Sequence, residues 1–338
     1  MSPDYFPKKK TQPVKPVIAA ELVEGPLEEV QLGEVQVAEK QLTRATGEKK
    51  ESWLLASRTV RDYKPVSGYL WRIVHAVLGR QDRLGKADPM IFDALKPLIF
   101  EAAADPRLGD PKTKVTSLDT AVGVVGIDSA AAVCVVYGVC RRISATLSER
   151  LWRPIIDDAL IRASIGYLIG AKATEFGKGR GVLAGFAGRA GLAIQIAASD
   201  IQKAQRALEG LASGQPMKDV GTTVYGCDPL QVSAIMLASA GVTVEAAYGV
   251  AAYSNQGKDI LPKSAANLWL SVFTIAENLR VASVDKIEPK YWRALGIEES
   301  AQREIISEVD ALLRKGHNWQ WMLSSQEHLV QAQSKKPN

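Results

Sequence analysis

Nowhere in this 338-residue chain do apolar and polar residues alternate for long enough to build a sheet. From about Ser52 onward the apolar residues instead return every three or four positions. Leu70, Ile73, Val74, Val77 and Leu78 share one face of a helix over 66–78. Asp88-Pro89 and Asp228-Pro229 each place a capping carboxylate before a proline suited to a first helical position. They open helices over 90–104, which Pro97 is expected to kink, and 230–240, which Gly241 stops. Ser117 is expected to cap 118–125, Asp128 to cap a helix running to about Leu147, and Pro154 to open one ending near Glu175. Further helices are predicted over 182–198, 200–212, 244–253, 267–283 and 298–315, with a short turn at 291–295. The expectation is an all-α bundle of about a dozen helices, with no substantial sheet.

One segment within this pattern has no polar face. In 182–198, glycines at 185, 188 and 191, with Gly181 just before, leave room for other backbones to approach closely, at a cost in helix propensity. The runs 181–198 and 121–140 are apolar, but Arg189 and Asp128 interrupt them, so neither is read as a membrane span. Hydrophobic residues make up 46% and charged residues 23%, and a net charge of +5 is too small an excess to demand a nucleic-acid partner. Residues 1–50, with prolines at 3, 7, 13, 16 and 26 among lysines and glutamates, are expected to be a flexible or loosely docked extension. Within them, Leu27–Lys40 carries enough Val and Leu to dock as an arm. Met1–Lys10 is polar and no apolar run follows it, so a secretory signal is not evident. The main domain is placed at 55–322, with parts at 55–148, 149–285 and 286–322, and 323–338 is left as a tail.

Chemistry-bearing residues are sparse. Cys134, Cys140 and Cys227 lack metal-ligand spacing and are expected to be buried free thiols. Of the three histidines, His75 lies on a helix, His317 just past a helix end and His328 near the terminus, and no catalytic triad is suggested. Gly177-Lys178-Gly179-Arg180-Gly181 lacks the strand before and the Ser/Thr after its lysine that a phosphate loop needs, and is expected to be an interhelical turn.

Several blocks, in order, carry a resemblance. They are Asp88-Pro89-Met-Ile-Phe-Asp-Ala-Leu-Lys-Pro-Leu-Ile, Val115-Thr116-Ser117-Leu118, Gly126-Ile127-Asp128, Leu151-Trp152-Arg153, Gly188-Arg189-Ala190-Gly191, Val224-Tyr225-Gly226-Cys227-Asp228 and Ala276-Glu277-Asn278-Leu279. Over residues 65–315 the chain resembles the HDOD family, the catalytically silent branch of the HD metal-dependent phosphohydrolases. The resemblance implies an HD-like helical fold and a dismantled metal site at Pro154, Gly188, Arg189, Ala252 and Glu277. Of these positions only Glu277 still offers an oxygen, and a guanidinium repels a cation, so no metal, no cofactor and no hydrolysis are expected. It further implies a bacterial, cytoplasmic regulator acting in signal transduction through protein partners. Two features stand beside it. Lys178, Arg180 and Arg189 are candidates for binding a nucleotide or another phosphate-bearing anion where a metal once sat. Trp319, Trp321 and Met322 are expected to fold back over the core, with a partner-binding patch as the alternative.

Overall fold

A computed structural model describes residues 26–46, 50–79, 88–110, 112–255, 257, 260–261 and 263–334. They contain α1 (Pro26–Thr46), α2 (Lys50–Tyr63), α3 (Gly68–Val77), α4 (Lys96–Ala104), α5 (Leu118–Val125), α6 (Ile127–Ser144), α7 (Glu149–Lys172) and α8 (Lys178–Ala197). There follow α9 (Ile201–Ala212), α10 (Met217–Tyr225), α11 (Pro229–Ser239), α12 (Val244–Ala251), α13 (Ala265–Arg280), α14 (Pro289–Ala294), α15 (Glu299–Lys315) and α16 (Gln326–Ser334). Short 3-10 turns at Pro89–Leu95, Ala252–Asn255, Val284–Lys286 and Trp319–Leu323 complete the order, and no strand occurs among the described residues. The chain is all-α.

Helix starts follow local chemistry in most places. Ser117 caps α5 through the Thr120 N–H, Asp200 caps α9 through the Lys203 N–H, and Asp228 forms a full capping box with Gln231 on α11. Other starts differ from the sequence pattern. Asp88 caps a 3-10 turn, after which Pro97 sits in the first turn of α4, where its missing N–H costs nothing and no kink is needed. Pro154 lies inside α7, which begins at Glu149. Asp128 does not cap its own helix; its carboxylate accepts the Gly179 N–H at 2.9 Å and so caps α8 instead. Gly177 makes the turn with a φ of +90°, and residues 178–181 are already the first turn of α8.

α8 occupies the centre. Every residue from Gly179 to Ala197 is buried except Arg189, which is partly exposed. Its glycines serve several neighbours. A Cβ on Gly181 would collide with the Gly166 carbonyl, one on Gly185 with the Arg162 carbonyl, and one on Gly191 with the Pro229 carbonyl. The two backbones of α7 and α8 therefore touch along an antiparallel line that steps four residues at a time: Gly170 on Gly177, Gly166 on Gly181, Arg162 on Gly185.

Two segments outside the expected domain join the body. Val35, Ala38 and Leu42 of α1 are buried, and the Gln31 amide donates to the carbonyls of Val66 (3.2 Å) and Ser239 (2.6 Å). The arm at 27–40 thus lies within a docked helix, while residues 1–25 fall outside the described ones. In the segment read as a tail, α16 buries Leu329. Trp319 and Met322 are fully buried, and the Trp321 indole N–H donates to Asp105 at 3.1 Å. Trp319 and Met322 thus fold back into the core, while Trp321 stays partly exposed. The segment is held from the other side by Arg141 donating to the Leu323 carbonyl at 3.0 Å and by Arg153 bonded to Gln320.

Two glycine substitutions separate packing from propensity. Gly185→Ala should destabilise by about 3 kcal/mol, because its methyl has no free space against α7. Gly123→Ala, on the exposed face of α5 with nothing near its added methyl, should stabilise by about 0.5–1 kcal/mol. Urea denaturation of both variants measures the contrast.

Candidate functional site

The line of contact between α7 and α8 continues one step beyond Arg162 and Gly185, and that step pairs Asp158 with Arg189. The Arg189 Nε lies 2.8 Å from Asp158 Oδ2. α13 crosses the same place. Its Glu277 receives Arg162 Nη1 at 2.6 Å and Arg189 Nη1 at 3.5 Å, and its Arg280 donates to Asp158 Oδ1 at 2.6 Å. Arg162 completes the ring by donating to Asp158 Oδ2 at 3.1 Å. Three guanidiniums and two carboxylates from three helices thus form one ionic cage. Gly188 makes it possible: a Cβ there would overlap the Glu277 carboxylate.

The electrostatics are uneven. The Arg162 side chain is only 2% exposed, so its charge is stabilised by the two carboxylates rather than by water. Burial pushes the Asp158 carboxyl up, but Arg162, Arg189 and Arg280 more than offset it and leave it below the usual carboxylate range. Burial also raises Glu277, and there Arg162 and Arg189 offset only part of the effect. Desolvation lowers Arg189, against the pull of Glu277.

This arrangement does not fit a catalytic dication. Asp158, which is outside the five positions read as the former metal site, adds a second oxygen donor beside Glu277. Both carboxylates, however, already face two or three guanidiniums, which repel a metal from the remaining lone pairs. Among the described residues, no group of three or more His, Cys, Asp or Glu side chains is placed to hold a metal ion. Pro154 is exposed one turn before Asp158, and Ala252 is buried in a 3-10 turn; neither adds a polar atom to the cage.

The proposed cluster of Lys178, Arg180 and Arg189 does not assemble. Eleven residues of helix separate its ends by roughly 16 Å. Lys178 lies over the Tyr167 ring at 5.5 Å. Arg180 is buried and lowered by desolvation, with Asp128 pulling the other way. Arg189 alone reaches the cage. Asp158, Arg162 and Arg280 are the members that sequence reasoning missed. Their signal was the four-residue spacing of Asp158 and Arg162, which puts both on one face of a helix.

Other candidates have structural roles. The three cysteines are buried and free, and burial pushes the Cys227 thiol up to about 11. His75 stacks on Trp71 with ring centroids 4.8 Å apart. His317 is lowered by burial, with Asp157 opposing, and its Nδ1 accepts the Trp319 N–H at 3.2 Å. His328 is exposed.

A cleft of about 1280 Å³ opens against the cage, with Arg189 and Glu277 in its wall. The space beside residue 189 is therefore a pocket on one side and packed helix on the other.

Neither the family models nor the curated proteins yield a match to this sequence. Among solved structures, the chain is similar to a provisionally named signal transduction protein from Marinobacter aquaeolei VT8, at 12% identity and a TM-score of 0.52. That match covers 91% of this chain and 66% of the other, so the chain spans slightly less than two thirds of that structure's length. A provisionally named phosphohydrolase from Shewanella amazonensis SB2B matches at 16% identity and a TM-score of 0.49, over 79% of this chain and 98% of the other. At such identity the Marinobacter structure establishes a shared helical fold and nothing finer. No single helix among the described residues is long and apolar enough to cross a membrane. The apolar pair α5 and α6 is bent by 95°, and its apolar residues pack into the core.

Removing one member of the cage should cost more than neutralising its neighbourhood suggests. Arg162→Ala leaves Glu277 without its shortest partner and should destabilise by about 3–5 kcal/mol in urea denaturation. The pH dependence has a defined sign. Asp158 is depressed in the folded state, so its contribution is present above the unfolded value of about 3.9 and is lost as pH falls through the folded value. Melting curves of the wild type should therefore steepen their decline below about pH 4, and Asp158→Asn should remove that part of the slope.

Proposed function

We propose that this chain is a non-enzymatic signal-transduction module built on an HDOD-like, degenerate HD scaffold, working in the bacterial cytoplasm through contacts with protein partners. The observation that carries the reading is the ionic cage. Where HD-type chemistry needs oxygen and nitrogen donors around a metal, α7, α8 and α13 supply Arg162, Arg189 and Arg280 bonded to Asp158 and Glu277. The signal-transduction name attached to the Marinobacter protein and the order of the sequence blocks support the same assignment. A module of this kind transmits state only as far as its partners bind one conformation better than another.

The test has two arms. Purified protein incubated with Mn²⁺ or Mg²⁺ should show no hydrolysis of phosphomonoesters or phosphodiesters above buffer, and elemental analysis should find metal far below one equivalent. Hydrolysis that disappears on Glu277→Ala would overturn the reading. In the second arm, a stoichiometric protein partner captured from the native host should remain bound in EDTA, because no metal organises the scaffold.

A further inference from the structure

The cleft beside the cage has chemistry of its own. Its 1280 Å³ or so exceeds the roughly 300–1,000 Å³ of ordinary small-molecule sites. Arg189 stands in its inner wall, and Lys286 and Arg293 stand in its exposed outer wall with no ion pair to another described residue. Lys218 and Lys290 add cations that Asp228 (3.9 Å) and Glu288 (2.9 Å) already balance. Two aromatic rings border the same space: Tyr253 is fixed edge-on against Phe273 with centroids 5.0 Å apart, and Tyr291 is buried with the Lys290 ammonium over its ring at 4.9 Å. Thr274 lines the cleft one turn before Glu277. It is 6% exposed, and its hydroxyl oxygen is buried without a hydrogen-bond partner among the described residues. A buried hydroxyl left unpaired is costly in a folded protein, and a ligand group reaching it would remove that cost.

We infer that this cleft is a nucleotide-binding site. Lys286 and Arg293 hold the phosphates at its outer wall, Tyr253 takes the base, and Thr274 bonds the ligand's polar atoms at depth. Cations without partners suit a phosphate, whose charge and acceptor oxygens reward each donor. An aromatic wall suits the planar base, which a bare anion lacks. None of the three polar residues was singled out by sequence spacing; α13, α14 and the turn between them bring them together. The inference rests on the proposed non-catalytic reading in one respect only, that the bound nucleotide is kept and not cleaved.

Calorimetric titration of the full chain with ATP, GTP, adenosine and inorganic phosphate, in EDTA, tests it. Saturable binding of ATP or GTP is expected, with adenosine and inorganic phosphate each at least about tenfold weaker. Lys286→Ala/Arg293→Ala, both exposed and outside the cage, should raise the Kd about tenfold or more. Thr274→Val should raise it severalfold without lowering the melting temperature of the unliganded protein. Absent binding at millimolar nucleotide, an unchanged Kd in the double variant, or equal binding of inorganic phosphate would overturn the site. So would an acidic peptide that binds the cleft when nucleotides do not. A parallel incubation of ATP with the protein in Mn²⁺ or Mg²⁺ distinguishes the two claims: ATP that binds in EDTA but is hydrolysed once metal is added contradicts the non-catalytic reading, and ATP that stays intact with metal but does not bind contradicts this one.

Discussion

The closeness of α7 and α8 sets the rest of the molecule. Where two helices carry ordinary side chains, their axes stay about 8–10 Å apart. Here glycines on both sides let carbonyl groups rest where Cβ atoms would be, at Gly166 against Gly181 and Gly185 against Arg162. The register has no slack, because a shift of one residue would drive a methyl or larger group into a carbonyl. Asp158 and Arg189 meet because they occupy the next step of that register, and α13 then finds two charges already in place for Glu277 and Arg280.

An ionic cluster of this kind is weak evidence for stability, since desolvating each charge costs several kcal/mol before any pair forms. Its contribution is to tie three helices together. Five charged groups on α7, α8 and α13 satisfy one another, with Arg162 reaching both carboxylates and Arg189 bonded also to the Gly188 carbonyl at 2.7 Å. Arg189 and Glu277 belong both to this cage and to the wall of the cleft.

Much of the fold was legible, for identifiable reasons. Helical period, cap residues such as Ser117, Asp200 and Asp228, and terminators such as Gly241 and Gly316 act within a few residues, so local sequence contains them. The need for close backbone approach at 181–191 was also visible. Asp128 illustrates the limit: its sequence position suits capping α6, but a partner 51 residues away takes its carboxylate. The site was half legible. Arg189 and Glu277 stood out by resemblance, whereas Arg280 and Asp158 bond to each other across 122 residues, a distance that no spacing rule covers. Lys178 and Arg180 looked like Arg189's companions only because they are near in sequence.

The glycines also decide when the centre of the protein forms. Each glycine in a helix interior gives up about 0.8–1 kcal/mol relative to alanine, and α8 carries several. Alone in water such a segment gains too little to hold a helix, so its order is borrowed from α7 and α11 at the moment they close on it. Arg189 and Asp158 stand on the next step of the same helix contact, so the packing that lets α8 be a helix is also the packing that takes water away from their charges.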